Sequence, residues 1–157
     1  MTEEQLIEKV GLLARKYYQK EQFSCAEAMV RAFAEVFAPH RYDLESVTRL
    51  GTCFNGGFSE LQSVCGVFTA GLIVIGMVAG RGNPGDEEAK EEAYTLCQIY
   101  RQRFMAAVGS DSCQELLLRW KDQGEEKGQC KRHTEEMTRL LAQTILQVGF
   151  HELDVEA

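Results

Sequence analysis

The sequence predicts an all-α protein, a single-domain bundle of about seven helices around a buried central helix that contains glycine and opens on cysteine. Three observations lead there. Val64 to Gly80 runs for seventeen residues without a charge, and Thr69 is its only polar side chain. The chain has two prolines and few alternating β-branched runs, which disfavours sheet. Outside the central stretch, apolar residues recur at three- and four-residue steps, the period of an amphipathic helix. At 157 residues the length suits one domain that buries a core without staples. Residues 1–150 are expected to form it, with 151–157 as a flexible tail.

The elements follow in order. In the stretch from Thr2 to Tyr18, Leu6, Val10, Leu13 and Tyr17 recur as one helical face, with Thr2 and Gln5 as a capping box. Ser24 and Glu27 repeat that box before Cys25, Ala28, Met29, Ala32, Phe33 and Val36, and Pro39 stops the second helix. Asp43 caps a short third helix to about Leu50. Gly51 to Leu61 reads as a loop. The central helix is expected from Ser63 to Arg81, with Ser63 as its cap. Gly82-Asn83-Pro84-Gly85 breaks the chain, and Asp86 opens a long helix that Gly109 ends near Ala107. Ser112 starts a helix through Trp120. The last helix begins at Gln129 or Cys130 and carries Met137, Leu140, Leu141, Thr144, Ile145 and Val148 inward, with Gly149 as its stop.

The totals exclude several functions. A net charge of -7 argues against a nucleic-acid partner, which needs a basic face. The acidic start, MTEEQLIEKV, is unlike a signal peptide, so a cytoplasmic protein with reduced cysteines is expected. Seventeen apolar residues with four glycines fall at the bottom of the range for a membrane helix, and no stable membrane span is expected. No Ser-His-Asp, Walker, G-x-G-x-x-G or H-E-x-x-H pattern appears.

The chemistry resides in the cysteines. Six occur, at 25, 53, 65, 97, 113 and 130, without a C-x-x-C pair. Cys25, Cys65, Cys113 and Cys130 all fall in expected first turns of helices. A first turn carries unpaired N–H groups and the positive end of the helix dipole, which lowers a thiol pKa. One such cysteine reads as a small buried hydrophobe; four of six read as thiols arranged to be thiolates, the form that acts as nucleophile or soft-metal ligand. Cys97 reads as core and Cys53 as incidental. Asn55-Gly56-Gly57 implies positive φ or close backbone approach. The loop is either a tight turn or a cover over a ligand or the cysteines, with Gly56, Gly57 and Gly66 as the candidate cofactor-contact positions. His133 has ligand-compatible spacing to Cys130, but beside Lys131 and Arg132 it reads as a solvated surface residue. The paired carboxylates, Glu135-Glu136 among them, read as solvated faces. At about 100° per residue, Cys65, Thr69, Gly76 and Gly80 share one sector of the central helix. That strip of small residues predicts close helix packing, with Cys65 turned toward the starts of three other helices.

An early Ser-Cys-Ala helix, a glycine loop, C-G-x-x-T before a long apolar helix, a later Gly-Ser-x-x-Cys-x-Glu-Leu and a final cysteine together resemble the redox-active C_GCAxxG_C_C family over Phe23 to about Ala142. The family's four cysteines match Cys25, Cys65, Cys113 and Cys130, and its glycine loop matches Gly51, Gly56 and Gly57. Val67 departs from the family's alanine, and Ala70-Gly71 replaces its Gly-Ala order. The resemblance implies a small helical protein with a redox role and, because members are often encoded near transporter genes, a link to transport. Three readings result. The first is a thiol redox protein in which at least one pair of the four cysteines cycles between dithiol and disulfide, served by an unknown redox partner protein or small thiol. The second is a module that binds a metal or an iron–sulfur cluster through the same cysteines, with His133 as a substitute ligand. The third is a helical interaction protein, a homodimer for instance, whose cysteines are core.

Overall fold

The computed structural model describes residues 1–148, excepting the side chains of 126–128. The stop expected at Gly149 and the tail over 151–157 lie outside the described residues. Seven α-helices carry the fold: α1 (Glu3–Gln19), α2 (Cys25–Phe37), α3 (Leu44–Thr52), α4 (Gly66–Ala79), α5 (Glu87–Val108), α6 (Cys113–Asp122) and α7 (Glu126–Gln147). No strand occurs among the described residues; one isolated bridge pairs Val64 with Ser112. No helix there is long and apolar enough to cross a membrane.

Local chemistry explains the helix starts. The Thr2 N–H donates to Gln5 Oε1 at 2.9 Å and the Gln5 N–H to Thr2 Oγ1 at 3.1 Å, the reciprocal pair of a capping box. The Ser24 N–H donates to Glu27 Oε1 at 3.2 Å. Asp43, Asp86 and Ser112 cap α3, α5 and α6 by accepting from the N–H three residues on. Gly109 ends α5 at φ 80, the left-handed stop that glycine takes without strain.

Two helices share the centre. Ten of the thirteen residues of α2 are buried, and it packs on α1, α3, α4 and α7. The apolar α4 packs on α2, α3, α5 and α7, but its Leu72, Ile73 and Met77 are only partly buried and Gly76 is exposed. The strip of small residues therefore does not make a tight contact. A methyl at Gly76 would meet nothing within 4 Å. The close approach is on another side of α4, at Gly71, where the Tyr100 ring of α5 occupies the place of a Cβ. The Tyr100 hydroxyl donates to Val67 O at 2.9 Å, and its ring stacks on Phe68.

The last helix differs from expectation in two ways. It begins at Glu126, about one turn early, so Cys130 is its fifth residue rather than its first or second. Glu135 is not on a solvated face. It is buried and accepts from Arg15 at 3.0 Å and from Arg139 at 2.8 Å. Arg139 also donates to both oxygens of Glu8. This buried carboxylate between two arginines ties α1 to α7 by charge-assisted hydrogen bonds.

Candidate functional site

The site begins with the segment between α3 and α4. Gly56, Gly57, Phe58, Ser59 and Glu60 take φ between 57 and 71, and Gln62 follows at 57. Positive φ was expected at the glycines; its continuation through three residues with side chains was not. Each such residue costs about 1–2 kcal/mol relative to right-handed backbone, so neighbouring contacts must hold the strap in place. They are backbone hydrogen bonds to the start of α6: Cys113 N to Ser63 O at 2.7 Å, Gln114 N to Gln62 O at 3.1 Å, and Cys65 N to Asp111 O at 2.6 Å. At the strap's beginning, Asn55 Oδ1 accepts from Ala26 N at 3.1 Å and Glu27 N at 3.3 Å. Its Nδ2 donates to Glu27 Oε1 at 2.7 Å. Asn55 thus docks the strap on the first turn of α2.

The strap lies against two thiols. An added Cβ at Gly57 would come within 2.7 Å of Cys113 Cβ, and one at Gly66 within 2.6 Å of Cys25 Sγ. The Gly56 N–H favours negative charge on the Cys25 sulfur. At the three glycines expected to contact a cofactor, the chain thus closes on its own cysteines.

Cys25 and Cys113 are the first residues of α2 and α6, as expected. Cys65 is itself the N-cap of α4, and Ser63 lies two residues outside. Its carbonyl accepts from Phe68 N at 3.0 Å and Thr69 N at 3.1 Å. Cys130 occupies the second turn of α7, where the Tyr18 hydroxyl of α1 favours its thiolate. Negative charge on Cys25 acts on Cys65, Cys113 and Cys130, and Cys130 in turn acts on Cys65. The other two stand apart: Cys53 is exposed at the end of α3, and Cys97 is half-buried on α5. All six are free thiols.

The expected lowering of the thiol pKa values is reversed. Burial pushes Cys25 and Cys113 up, and pushes Cys65 and Cys130 up to about 12. Backbone N–H groups do favour the Cys25 thiolate, from Gly56, Ala26 and Cys25 itself. Loss of water outweighs them, because an apolar surround penalises the charged form more than one helix end rewards it.

His133 is the residue that sequence reasoning misplaced. It is 3% exposed, with its ring against Phe104 and Trp120. Its Nε2 lies 3.4 Å from Cys65 Sγ. Burial holds its pKa down at about 4. A signal was present: His133 precedes Met137 by four residues and Leu141 by eight, which puts it on the inner stripe of α7. Its basic neighbours drew the reading to the surface. Tyr18 was missed as well, since the α1 stripe points to Tyr17.

Among the described residues, no group of three or more His, Cys, Asp or Glu side chains is arranged to hold a metal ion. The donor set therefore does not fit a preformed metal or cluster site. An open groove of about 850 Å³ at the end of α4 and the start of α5 is lined by Arg41, Met77, Glu91 and Glu92, and by none of the cysteines.

An all-α bundle that buries free thiols within one another's field, with an imidazole on one of them, defines a helical thiol protein. The chain belongs to the family described as "Putative redox-active protein (C_GCAxxG_C_C)", which it matches over residues 23–144. That span runs from just before α2 to near the end of α7 and leaves out α1, the helix that supplies Tyr18. No curated protein and no solved structure matches the chain.

Proposed function

We propose that this protein is a thiol–disulfide redox protein of a reducing, cytoplasmic compartment, with Cys25, Cys65, Cys113 and Cys130 as its working thiols. At least one pair of them cycles between dithiol and disulfide, against a small thiol or a redox partner protein. The observation that carries the reading is the packing of the thiols around the strap and the start of α4: Gly57 lies against Cys113, Gly66 against Cys25 Sγ, and Cys65 is the α4 N-cap. A negative charge on Cys25 also pushes up the pKa of the other three. Such a site resists accumulating thiolates. A disulfide avoids that cost, because it removes two protons and two electrons and leaves no buried charge.

The test is to count thiols across graded redox buffers by alkylation and intact mass, with each of the four cysteines also replaced by serine. Thiols are expected to disappear in pairs, and a serine at one member leaves its partner reduced. If all four stay reduced at the oxidising end, the proposal fails. Stoichiometric metal in anaerobically purified protein, lost in Cys65→Ser, would replace it with the metal-binding reading.

A further inference from the structure

We propose that Cys65 is the resolving thiol of this site, that Cys25 is the thiol it closes upon, and that His133 Nε2 takes the Cys65 proton as that disulfide forms. The inference rests on the thiol–disulfide reading and assigns roles within it.

The geometry divides the two sulfurs. Cys25 is the first residue of α2, and three N–H groups, those of Gly56, Ala26 and its own, favour its thiolate. Such donors suit the sulfur that attacks first. Cys65, the N-cap of α4, is as enclosed as Cys25, at 7% against 9% exposed, and two N–H groups, those of Val67 and Phe68, favour its thiolate without offsetting burial. It is also the one with a base in reach, His133 Nε2 at 3.4 Å. A buried thiol whose pKa is raised to about 12 is a poor first attacker of an outside disulfide, but it can attack a neighbouring sulfur already bound to one. Cys25 is that neighbour. Its Sγ lies against Gly66, the residue after Cys65, and its charge acts on Cys65 more than that of Cys130 does. Phe104 and Trp120 pack on the His133 ring from two other helices and fix it on Cys65. The imidazole is neutral in this site, the state a proton acceptor needs. Burial holds its own basicity down, so it takes the proton as the Cys65 sulfur 3.4 Å away turns thiolate, the opposite charge that favours imidazolium.

The chemistry balances in two steps. The Cys25 thiolate attacks a disulfide RSSR. A Cys25–SR bond forms, the RS–SR bond breaks, and the leaving RS⁻ takes the proton that Cys25 gave up. The Cys65 sulfur then attacks the Cys25 sulfur while its proton passes to His133 Nε2. The Cys65–Cys25 bond forms, the Cys25–SR bond breaks, and the second RS⁻ takes the proton from His133. Two thiols are oxidised by two electrons, RSSR is reduced to two RSH, and His133 ends neutral.

The experiment follows the second step with 2-hydroxyethyl disulfide as probe, by quenched-flow alkylation and intact mass. Wild-type protein is expected to pass quickly to an internal disulfide that peptide mapping places at Cys25–Cys65. Cys65→Ser should stop at the mixed disulfide on Cys25. His133→Gln, which keeps a polar side chain but removes the base, should let the mixed disulfide accumulate. Its resolution should slow by about a hundredfold or more, the range of general-base assistance, while the first step keeps its rate. His133→Asn provides the same reading if His133→Gln does not fold. Resolution at the wild-type rate in a folded His133 variant overturns the role of the histidine, and a mapped pair other than Cys25–Cys65 overturns the assignment of thiols; either result leaves the redox reading intact. Absence of any adduct or thiol loss in all variants refutes the redox reading itself.

Discussion

Gly66→Ala tests the packing at the centre of the site. Gly66 is the first residue of α4, where alanine would ordinarily stabilise a helix by up to about 1 kcal/mol. Here the new methyl would lie 2.6 Å from Cys25 Sγ and 2.9 Å from Phe54 O. The sulfur can rotate away only within a buried surround, and the Phe54 carbonyl is backbone, one residue before the docked Asn55. Overpacking of this kind costs about 1–3 kcal/mol. The net expectation is a loss of about 1–2 kcal/mol, which lowers the melting temperature by roughly 2–8 °C for a domain of this size. The assay is thermal and urea unfolding of the fully reduced protein, followed by helical circular dichroism. The displaced sulfur should also slow reaction of Cys25 with a small disulfide. A melting temperature equal to or above wild type, with Cys25 reacting at its normal rate, refutes the reasoning, because it would mean that Cys25 Sγ is not held against α4.

Other outcomes follow from the same structure. Stability should fall on both sides of neutrality. His133 has a folded pKa of about 4, below its usual value near 6.5, so the unfolded chain binds more protons between them. The stability it supports is complete above about pH 6.5 and lost as pH falls toward 4, on the order of 3 kcal/mol in all; the acid limb should flatten in His133→Gln. Cys65 and Cys130 are raised to about 12, so their contribution is complete below about pH 9 and lost as pH rises from there toward 12. Urea midpoints taken across pH measure both limbs. Gly57→Ala, at φ 71 and with its methyl 2.7 Å from both Cys113 Cβ and Ser63 N, should cost about 2–4 kcal/mol. Glu60→Gly, on the exposed side of the strap at φ 65, should instead stabilise by about 1 kcal/mol, and a loss in unfolding midpoint would contradict the strain argument. Glu135→Gln should cost about 1–2 kcal/mol. That is less than for a fully buried pair, because Arg15 is 44% exposed and Arg139 keeps Glu8.

The seven helices were legible because their starts are chemical. Thr2, Ser24, Asp43, Asp86 and Ser112 each carry an oxygen that a cap requires, and each begins the helix it announces. Cys25 and Cys113 were legible for the same reason. Cys65 and Cys130 were displaced from their expected helix positions because α4 starts without a side-chain cap and α7 starts before its apolar stripe. What the cysteines experience was not legible. Helix-end chemistry is local and can be read along a chain, whereas desolvation depends on which helices cover the end. His133 and Glu135 show the same limit: on α7, charge in neighbouring positions suggested exposure, while His133 lies on the four-residue stripe of Met137 and Leu141 and Glu135, on another side, is covered where Arg15 of α1 and Arg139 hold it. The glycines of the strap were readable as positive φ. Its extension through Phe58, Ser59 and Glu60 was not, since bonds closed within the segment (Glu60 N to Asn55 O, Leu61 N to Phe58 O, Ser59 Oγ to Cys53 O) override local preference there.

The strap also bears on handedness. Over residues 56–60 every φ has the sign opposite to that of the right-handed helices. For those few residues, a D-amino acid would be the natural occupant and the L form is the misfit. Glycine, the one achiral residue in the genetic code, is the nearest a ribosome can supply. The chain uses it at 56 and 57, where a Cβ would strike Glu60, Cys113 or the strap itself, and not at 58, 59 or 60, where the residues are exposed. Achirality is thus placed where space runs out, beside the thiols. A semisynthetic chain with D-serine at 59 would separate the two demands: it removes the handedness penalty while keeping the side-chain chemistry at that position.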